Sequence, residues 1–337
     1  MEKIRSSNIE VFRIFLMFVI VIHHFVLYSV EPFYENSAVV DALKCVSHFG
    51  VIAFVLISGY FGIKLNVEKF FRICFQVLFF SIGLYLLAVL LNENVYFSLK
   101  EFLQNGLVFT NKHAYWFIVV YLQLFLLSPL LNCAIDNLDK KKLIYIICVF
   151  AFFVFYMSFI RHSPYSLDGK DIVNFSMIYL LGGFLRKYDI MSCFSKKFKF
   201  CVIALFAILS ILCICIVLLP KLLSDWIYFI FYSYNSPGII VLALLFFVLF
   251  FFWKVDNNLL LNKVAASVFA VYLLHENVYF HSMIYNDVFF ENIDKNSVGL
   301  LFVWIMLKTV LIFLVAFILD YVRVFVYSLI KGLFFKK

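Results

Sequence analysis

The chain has 337 residues, of which 65% are hydrophobic and 14% charged, with 46 phenylalanines, a mean hydropathy of +1.02 and a formal net charge of +8. A water-soluble domain carries about 25% charged residues, and no single aqueous core could hide this much apolar surface. Composition therefore excludes an ordinary soluble protein, assigns most of the chain to lipid, and leaves residues 1–337 reading as one transmembrane domain with no separate soluble domain.

A helix crossing a bilayer core of about 30 Å needs roughly 20 apolar residues. In chain order the candidates are 9–30, 43–62, 71–92, 115–134, 143–160, 172–186, 199–219, 237–253, 264–285 and 299–329, the sixth and eighth being short. The first follows Lys3 and Arg5 but is too long for a signal-peptide core and lacks a small-residue cleavage site, so it is expected to be retained. The apolar run Trp226 to Tyr234 ends in Asn235-Ser236-Pro237-Gly238, which predicts a re-entrant or interfacial piece. With the N-terminus cytoplasmic, inward segments hold 19 Lys and Arg and outward segments 7. The positive-inside rule then predicts an all-α polytopic bundle of about ten spans, N-in and C-in. That bias accounts for the net charge without a nucleic-acid partner. The eight cysteines fall mostly in apolar runs with no Cys-x-x-Cys pair, which supports neither zinc nor disulfides and reads as small buried hydrophobes.

Ionisable residues inside a span cost about 2.5–3.5 kcal/mol each on insertion scales, which makes them functional candidates. The first span reads Asn8-Ile9-Glu10-Val11-Phe12-Arg13, then nine apolar residues, then His23-His24. Arg13 and His24 are eleven residues apart, three helical turns with roughly 20° of offset, so they share a face about 16 Å apart along the axis. His23 points elsewhere, and Glu10 is placed to pair with Arg13. Arginine recognises phosphate or carboxylate, and an imidazole near neutral pH can take a proton from an alcohol nucleophile. The competing reading is an interfacial Glu10–Arg13 pair with a structural histidine. In the ninth span Ser267, Tyr272, His275, Glu276 and Asn277 form a second polar group, with the same choice between site and inter-helix contact. His48 and His113, near outer ends of spans, read as interfacial. Lys308 reads as a snorkelling residue, and it and Asp320 are too far apart to pair.

Several of these segments resemble acyltransferase family 3, bacterial integral-membrane enzymes that move acyl groups onto sugars and related acceptors. The residues that carry the likeness are Asn8 to Arg13 followed by His24, Phe54 to Ser58-Gly59-Tyr60-Phe61, Tyr115-Trp116-Phe117-Ile118 with Ser128-Pro129-Leu130-Leu131, Leu181-Gly182-Gly183 to Arg186-Lys187, and Ser267 through Tyr272 to His275. The resemblance implies a ten-helix fold, a cytoplasmic acyl-CoA donor, with acetyl-CoA as the default, no bound cofactor or metal, and an acceptor hydroxyl on a surface polysaccharide or related glycan at the cell membrane. On this analogy Arg13 holds the donor and His24 is the general base. Lys69-Phe70-Phe71-Arg72 stands where the family often has Arg-x-x-Arg, and lysine cannot reproduce a bidentate guanidinium contact. The extra domain that many members carry after the tenth helix is not expected in a chain ending at Lys337. The candidate catalytic residues are thus His24, Glu10 and His275, and the candidate substrate-binding residues Arg13, Lys69, Arg72, Trp116 and Tyr272. Because His24 falls in the outer half of its helix, the donor must reach deep or the bundle must hold a cavity.

A transporter or flippase for a lipid-linked sugar is the alternative, since it would share broken helices and buried charge. Against it, the two halves show no internal repeat and the expensive residues gather in the first and ninth spans. A polysaccharide polymerase fits less well, because the longest outer loop, about 93–114, has no paired arginines.

Overall fold

The computed structural model describes residues 7–33, 38–91, 95–106, 115–160, 168–219, 221–286 and 298–334. His113 lies outside them. Among the described residues helix is the only regular structure: α1 Ser7–Phe25, α2 Ala38–Ser47, α3 Gly50–Phe61, α4 Val67–Leu91, α5 Leu99–Gly106, α6 Trp116–Asn137, α7 Lys140–Ala151, α8 Ile172–Lys187, α9 Ile190–Lys196, α10 Phe198–Leu218, α11 Lys221–Tyr232, α12 Pro237–Phe252, α13 Leu259–Ala266, α14 Val268–His275, α15 His281–Tyr285 and α16 Val298–Phe334. Among the described residues seven helical stretches are long and apolar enough to cross a membrane, and the pair Asp225–Tyr232 with Pro237–Phe252, bent by 56°, adds an eighth if it is one broken span. Pro237 starts a new helix at the predicted break.

Two predicted spans differ from a simple rod. The sixth, α8, has only 16 residues. The ninth is divided into α13, α14 and α15. Asn277 ends α14 with a local turn, its side-chain oxygen accepting from the Tyr279 N–H at 3.1 Å, a bond that competes with helix continuation. α4 begins at Val67, because the Asn66 side chain accepts from the Lys69 N–H at 3.1 Å. Lys69 and Arg72 lie in its first two turns. α1 and α7 run on as π-helical turns over Val26–Val30 and Phe152–Ile160.

The chain forms two compact units, one of Met1–Leu65 with Phe117–Asn258 and the other of Asn66–Trp116 with Leu259–Lys337. In the first, α3 and α8 meet backbone to backbone. A Cβ on Gly182 would sit 2.5 Å from the Leu56 carbonyl oxygen, and one on Gly59 would collide with the Tyr179 carbonyl. Small residues that let two apolar helices approach this closely are the usual glue between helices in lipid. The chain leaves α3 through Gly62 at φ +74°, a conformation that favours glycine, and is then clamped. The Tyr179 hydroxyl accepts from the Ile63 N–H at 2.7 Å and donates to the Asn132 side-chain oxygen at 2.8 Å, while the Asn132 amide donates to the Ile63 carbonyl at 2.7 Å. α1 packs on α12 through Phe12 stacked on Phe250, ring centroids 4.6 Å apart. Asn8 donates to the carbonyls of Phe250 and Phe251 at 3.1 and 2.7 Å, satisfying two of the open groups at the end of α12.

The second unit is organised by Asp320, which pairs with Arg323 three residues on and with two side chains distant in the chain. One carboxylate oxygen accepts from Gln76 on α4 at 2.9 Å and from Arg323 Nε at 2.9 Å, and the other accepts from Ser267 at 2.8 Å. Gln76, Asp320 and Arg323 are buried, so this network meets the rule that a buried charge must be paired and hydrogen-bonded. It also fixes Ser267 at the junction of α13 and α14. Lys308 lies 4.9 Å from the Trp304 ring.

Candidate functional site

α1 is regular through both residues singled out on it, so the expected geometry holds: Arg13 and His24 lie on one side about 16 Å apart along the axis. Both are half-buried, while Leu16 and His23, further round the helix, are buried. Glu10, 4% exposed, is paired with Arg13, whose Nη1 donates to both carboxylate oxygens at 3.2 and 3.3 Å. The Arg13 side chain remains 34% exposed, and among the described residues Glu10 is its only hydrogen-bonding partner. The rest of the guanidinium fork is thus open to an anion, the geometry in which arginine binds phosphate or carboxylate. Glu10 holds that fork in place. The ring of His24 packs near those of His23 and Tyr28, at centroid distances of 5.8 and 5.5 Å.

His23, excluded from the Arg13 face as expected, has a role that sequence reasoning missed. Its Nδ1 lies 2.9 Å from the Ser47 hydroxyl and its Nε2 lies 3.1 Å from His48 Nδ1. His48, expected to be interfacial, is buried against the rings of Tyr234 and Tyr232 at 4.1 and 5.0 Å. A signal for this was present. The two polar groups flank a short connection between the first two spans at similar distances, which puts them at similar depth in an antiparallel pair.

In the second unit, Tyr115 adopts φ +59°, rare for an aromatic residue and a sign of local strain. It is held there by its hydroxyl, which donates to the Leu273 carbonyl at 2.7 Å and accepts from the Asn277 amide at 2.9 Å. Tyr115 therefore fixes the end of α14, and it places the half-buried Trp116 at the start of α6. Tyr272 and His275 come together as the one-turn spacing required, rings 6.0 Å apart and edge-on. His275 is fully buried and its Nδ1 lies 2.7 Å from the Val271 carbonyl. A carbonyl only accepts, so Nδ1 carries the proton, and in the neutral ring Nε2 is the basic nitrogen. Glu276 Oε1 is 3.9 Å from that Nε2. Lys69 and Arg72 are exposed on the first turns of α4, where the helix dipole also favours an anion. Arg72 shares Glu68 with Lys331, at 3.4 and 2.7 Å. The eight cysteines are all free thiols.

Residues 6–321 match the family model described as an acyltransferase domain. Comparison with curated proteins and with solved structures finds no match. Matched over nearly its whole length and built of helices able to cross a bilayer several times, the chain belongs to acyltransferase family 3 and is a multi-pass membrane acyltransferase.

Proposed function

We propose that this enzyme moves an acyl group, acetyl by default, from cytoplasmic acyl-CoA to a hydroxyl of a cell-surface glycan, from within the cell membrane in an N-in, C-in arrangement of about ten spans. The observation that carries the reading is the α1 pairing of a guanidinium, oriented by Glu10 yet open to an anion, with His24 three turns along the same side of an unbroken helix. Arg13 takes a negatively charged group of the donor. Lys69 and Arg72 add cationic surface that suits the phosphates of coenzyme A. His24 accepts the proton of the acceptor hydroxyl as its oxygen attacks the thioester carbonyl. The tetrahedral intermediate then expels the thiolate, the C–O bond replaces the C–S bond, and the imidazolium returns the proton to sulfur. Helices that exclude water would protect the thioester from hydrolysis. Tyr272 and His275, both buried at the end of α14, are hydrogen-bonding candidates for the substrate, and Trp116 is an apolar one.

The test is ester-linked acetate in cell-envelope carbohydrate, compared between wild type, a deletion strain, and the deletion carrying His24→Ala at matched membrane expression. The deletion is expected to abolish the ester, and His24→Ala to lower its rate of appearance by about 10²–10⁴-fold. Intact esters in the deletion, with lipid-linked sugar accumulating on the inner leaflet, would establish the flippase reading instead.

A further inference from the structure

Four buried polar atoms gather around Tyr234 without a hydrogen-bonding partner among the described residues: His48 Nε2, Asn174 Oδ1, Asn235 Oδ1 and Ser236 Oγ. The residues are 8%, 0%, 2% and 0% exposed. The His48 ring lies on that of Tyr234, the Asn174 amide donates to the Tyr234 carbonyl at 3.1 Å, and Asn235 and Ser236 follow it in the chain. Native proteins leave few such atoms unsatisfied, so a cluster of four calls for an explanation.

The chemistry of these atoms can be read from their neighbours. The Ser47 hydroxyl has one proton, which it gives to the Leu43 carbonyl at 2.6 Å. It must therefore accept from His23 Nδ1–H. With both rings neutral, His23 Nε2 is then an acceptor, and the proton in the 3.1 Å bond to His48 belongs to His48 Nδ1. The relay ends on a bare lone pair at His48 Nε2. Asn174 donates its amide to two carbonyls, Gly169 at 2.9 Å and Tyr234, which fixes its orientation and leaves Oδ1 as a second acceptor. The Asn235 amide donates to Ser158 Oγ at 2.6 Å, and the Ser236 hydroxyl can both give and take. Acceptors without a carboxylate do not suit an anion. They do not suit a cation either, with Lys170 Nζ 5.9 Å from the Tyr234 ring. They suit hydroxyl groups. The backbone here also departs from helix, at the 56° break between α11 and α12, and non-helical backbone at membrane depth is tolerated where it is buried in protein or lines a cavity.

We infer that His48, Asn174, Asn235 and Ser236 form a subsite for a neutral polyhydroxylated ligand, with His48 Nε2 accepting from one of its hydroxyls. Taken with the acyl-transfer reading, on which this step rests, that ligand is the acceptor sugar. One histidine ring links its subsite to the proposed base, the His23 ring lying 4.7 Å from that of His48 and 5.8 Å from that of His24. His48 is thus a binding residue, distinct from the base.

The experiment uses the full chain in nanodiscs and four probes, the methyl pyranosides of glucose, galactose, mannose and rhamnose. Binding is read by thermal stabilisation against glycerol at equal hydroxyl concentration, and acetyl transfer from acetyl-CoA is measured separately. At least one pyranoside should stabilise the wild type beyond glycerol. Ser236→Ala, which removes one hydroxyl without adding bulk, and His48→Phe, which keeps the ring on Tyr234, should each weaken that binding about tenfold, the loss of one buried hydrogen bond. If no pyranoside binds, or if Ser236→Ala binds as the wild type does, the four atoms hold only structural water and the subsite is wrong. Because the binding arm contains no acyl donor, the two readings fail separately. Binding to the wild type without acetyl transfer in any combination would leave the subsite standing and fault the acyl-transfer mechanism.

Discussion

Two buried polar networks in this chain look alike in composition and differ in how they end. Around Asp320, both carboxylate oxygens are taken, by Gln76, Arg323 and Ser267, and the network closes on itself. Around His23, the hydrogen bonds run from Leu43 through Ser47 and His23 to His48 and stop at a nitrogen with no partner among the described residues. A closed network fastens helices together. An open one has capacity left for a molecule that is not part of the chain. Burial alone does not separate the two cases, since members of both are under 10% exposed; the satisfaction of each donor and acceptor does.

The largest expected effect breaks the closed network. Asp320→Ala leaves Arg323 buried and uncompensated and should cost about 3–5 kcal/mol, seen as a fall in the thermal midpoint and in membrane yield. Asp320→Ala with Arg323→Met should recover most of that loss, because removing both charges removes the unpaired one. Ser236→Ala sharpens the contrast. Its hydroxyl bonds to nothing described, so the substitution should change stability by less than about 0.5 kcal/mol while it weakens sugar binding. A single Asp320→Ala protein that melts like the wild type would remove the distinction between the networks.

The next effect tests the other fastening, the α3–α8 crossing. Gly182→Ala forces a Cβ into the Leu56 carbonyl and should destabilise by about 1–3 kcal/mol, as overpacking does. Gly83→Ala, in the middle of α4 with nothing within 4 Å of the new Cβ, should stabilise by about 0.5–1 kcal/mol. Opposite signs in one thermal-melting experiment would separate a packing glycine from an incidental one. Equal effects would mean that the crossing has more slack than its geometry indicates.

Much of this architecture was legible in the sequence because it rests on local rules. Apolar run lengths located the helices, Pro237 and Gly238 marked the break before α12, and the three-residue spacing paired Glu10 with Arg13. What rested on contacts distant in sequence was not legible. The motifs around Gly59 and Gly182 stood as separate elements of the resemblance, yet they are the two sides of one crossing. Asp320 was left without a role although Arg323 stands three residues on, the spacing that paired Glu10 with Arg13; its partner Gln76, 244 residues away, was beyond any local rule. The ninth segment looked continuous by hydropathy, which does not register that Asn277 turns the chain through its own side chain. His48 was read as interfacial because hydropathy gives depth but not neighbours, and its neighbours are what make it a site.

The smallest expected effect concerns a group that is part of neither network. Asp139 caps α7 from outside the membrane, its carboxylate accepting from the Lys142 N–H at 2.9 Å. That backbone hydrogen bond, helped by the Lys142 ammonium, holds its pKa below the ordinary 3.8. A folded pKa below the unfolded one means that the charged cap contributes stability above the unfolded value, and that the contribution is lost as pH falls through the folded value. The window therefore lies below about pH 4. Asparagine caps a helix as well as aspartate but does not titrate. Asp139→Asn should thus flatten the small part of the acid-side fall in melting temperature that this cap supplies, and leave the midpoint at pH 7 slightly lowered by loss of the charge at the helix N-terminus. Identical acid limbs in the two proteins would show that the cap's charge state does not reach the stability of α7.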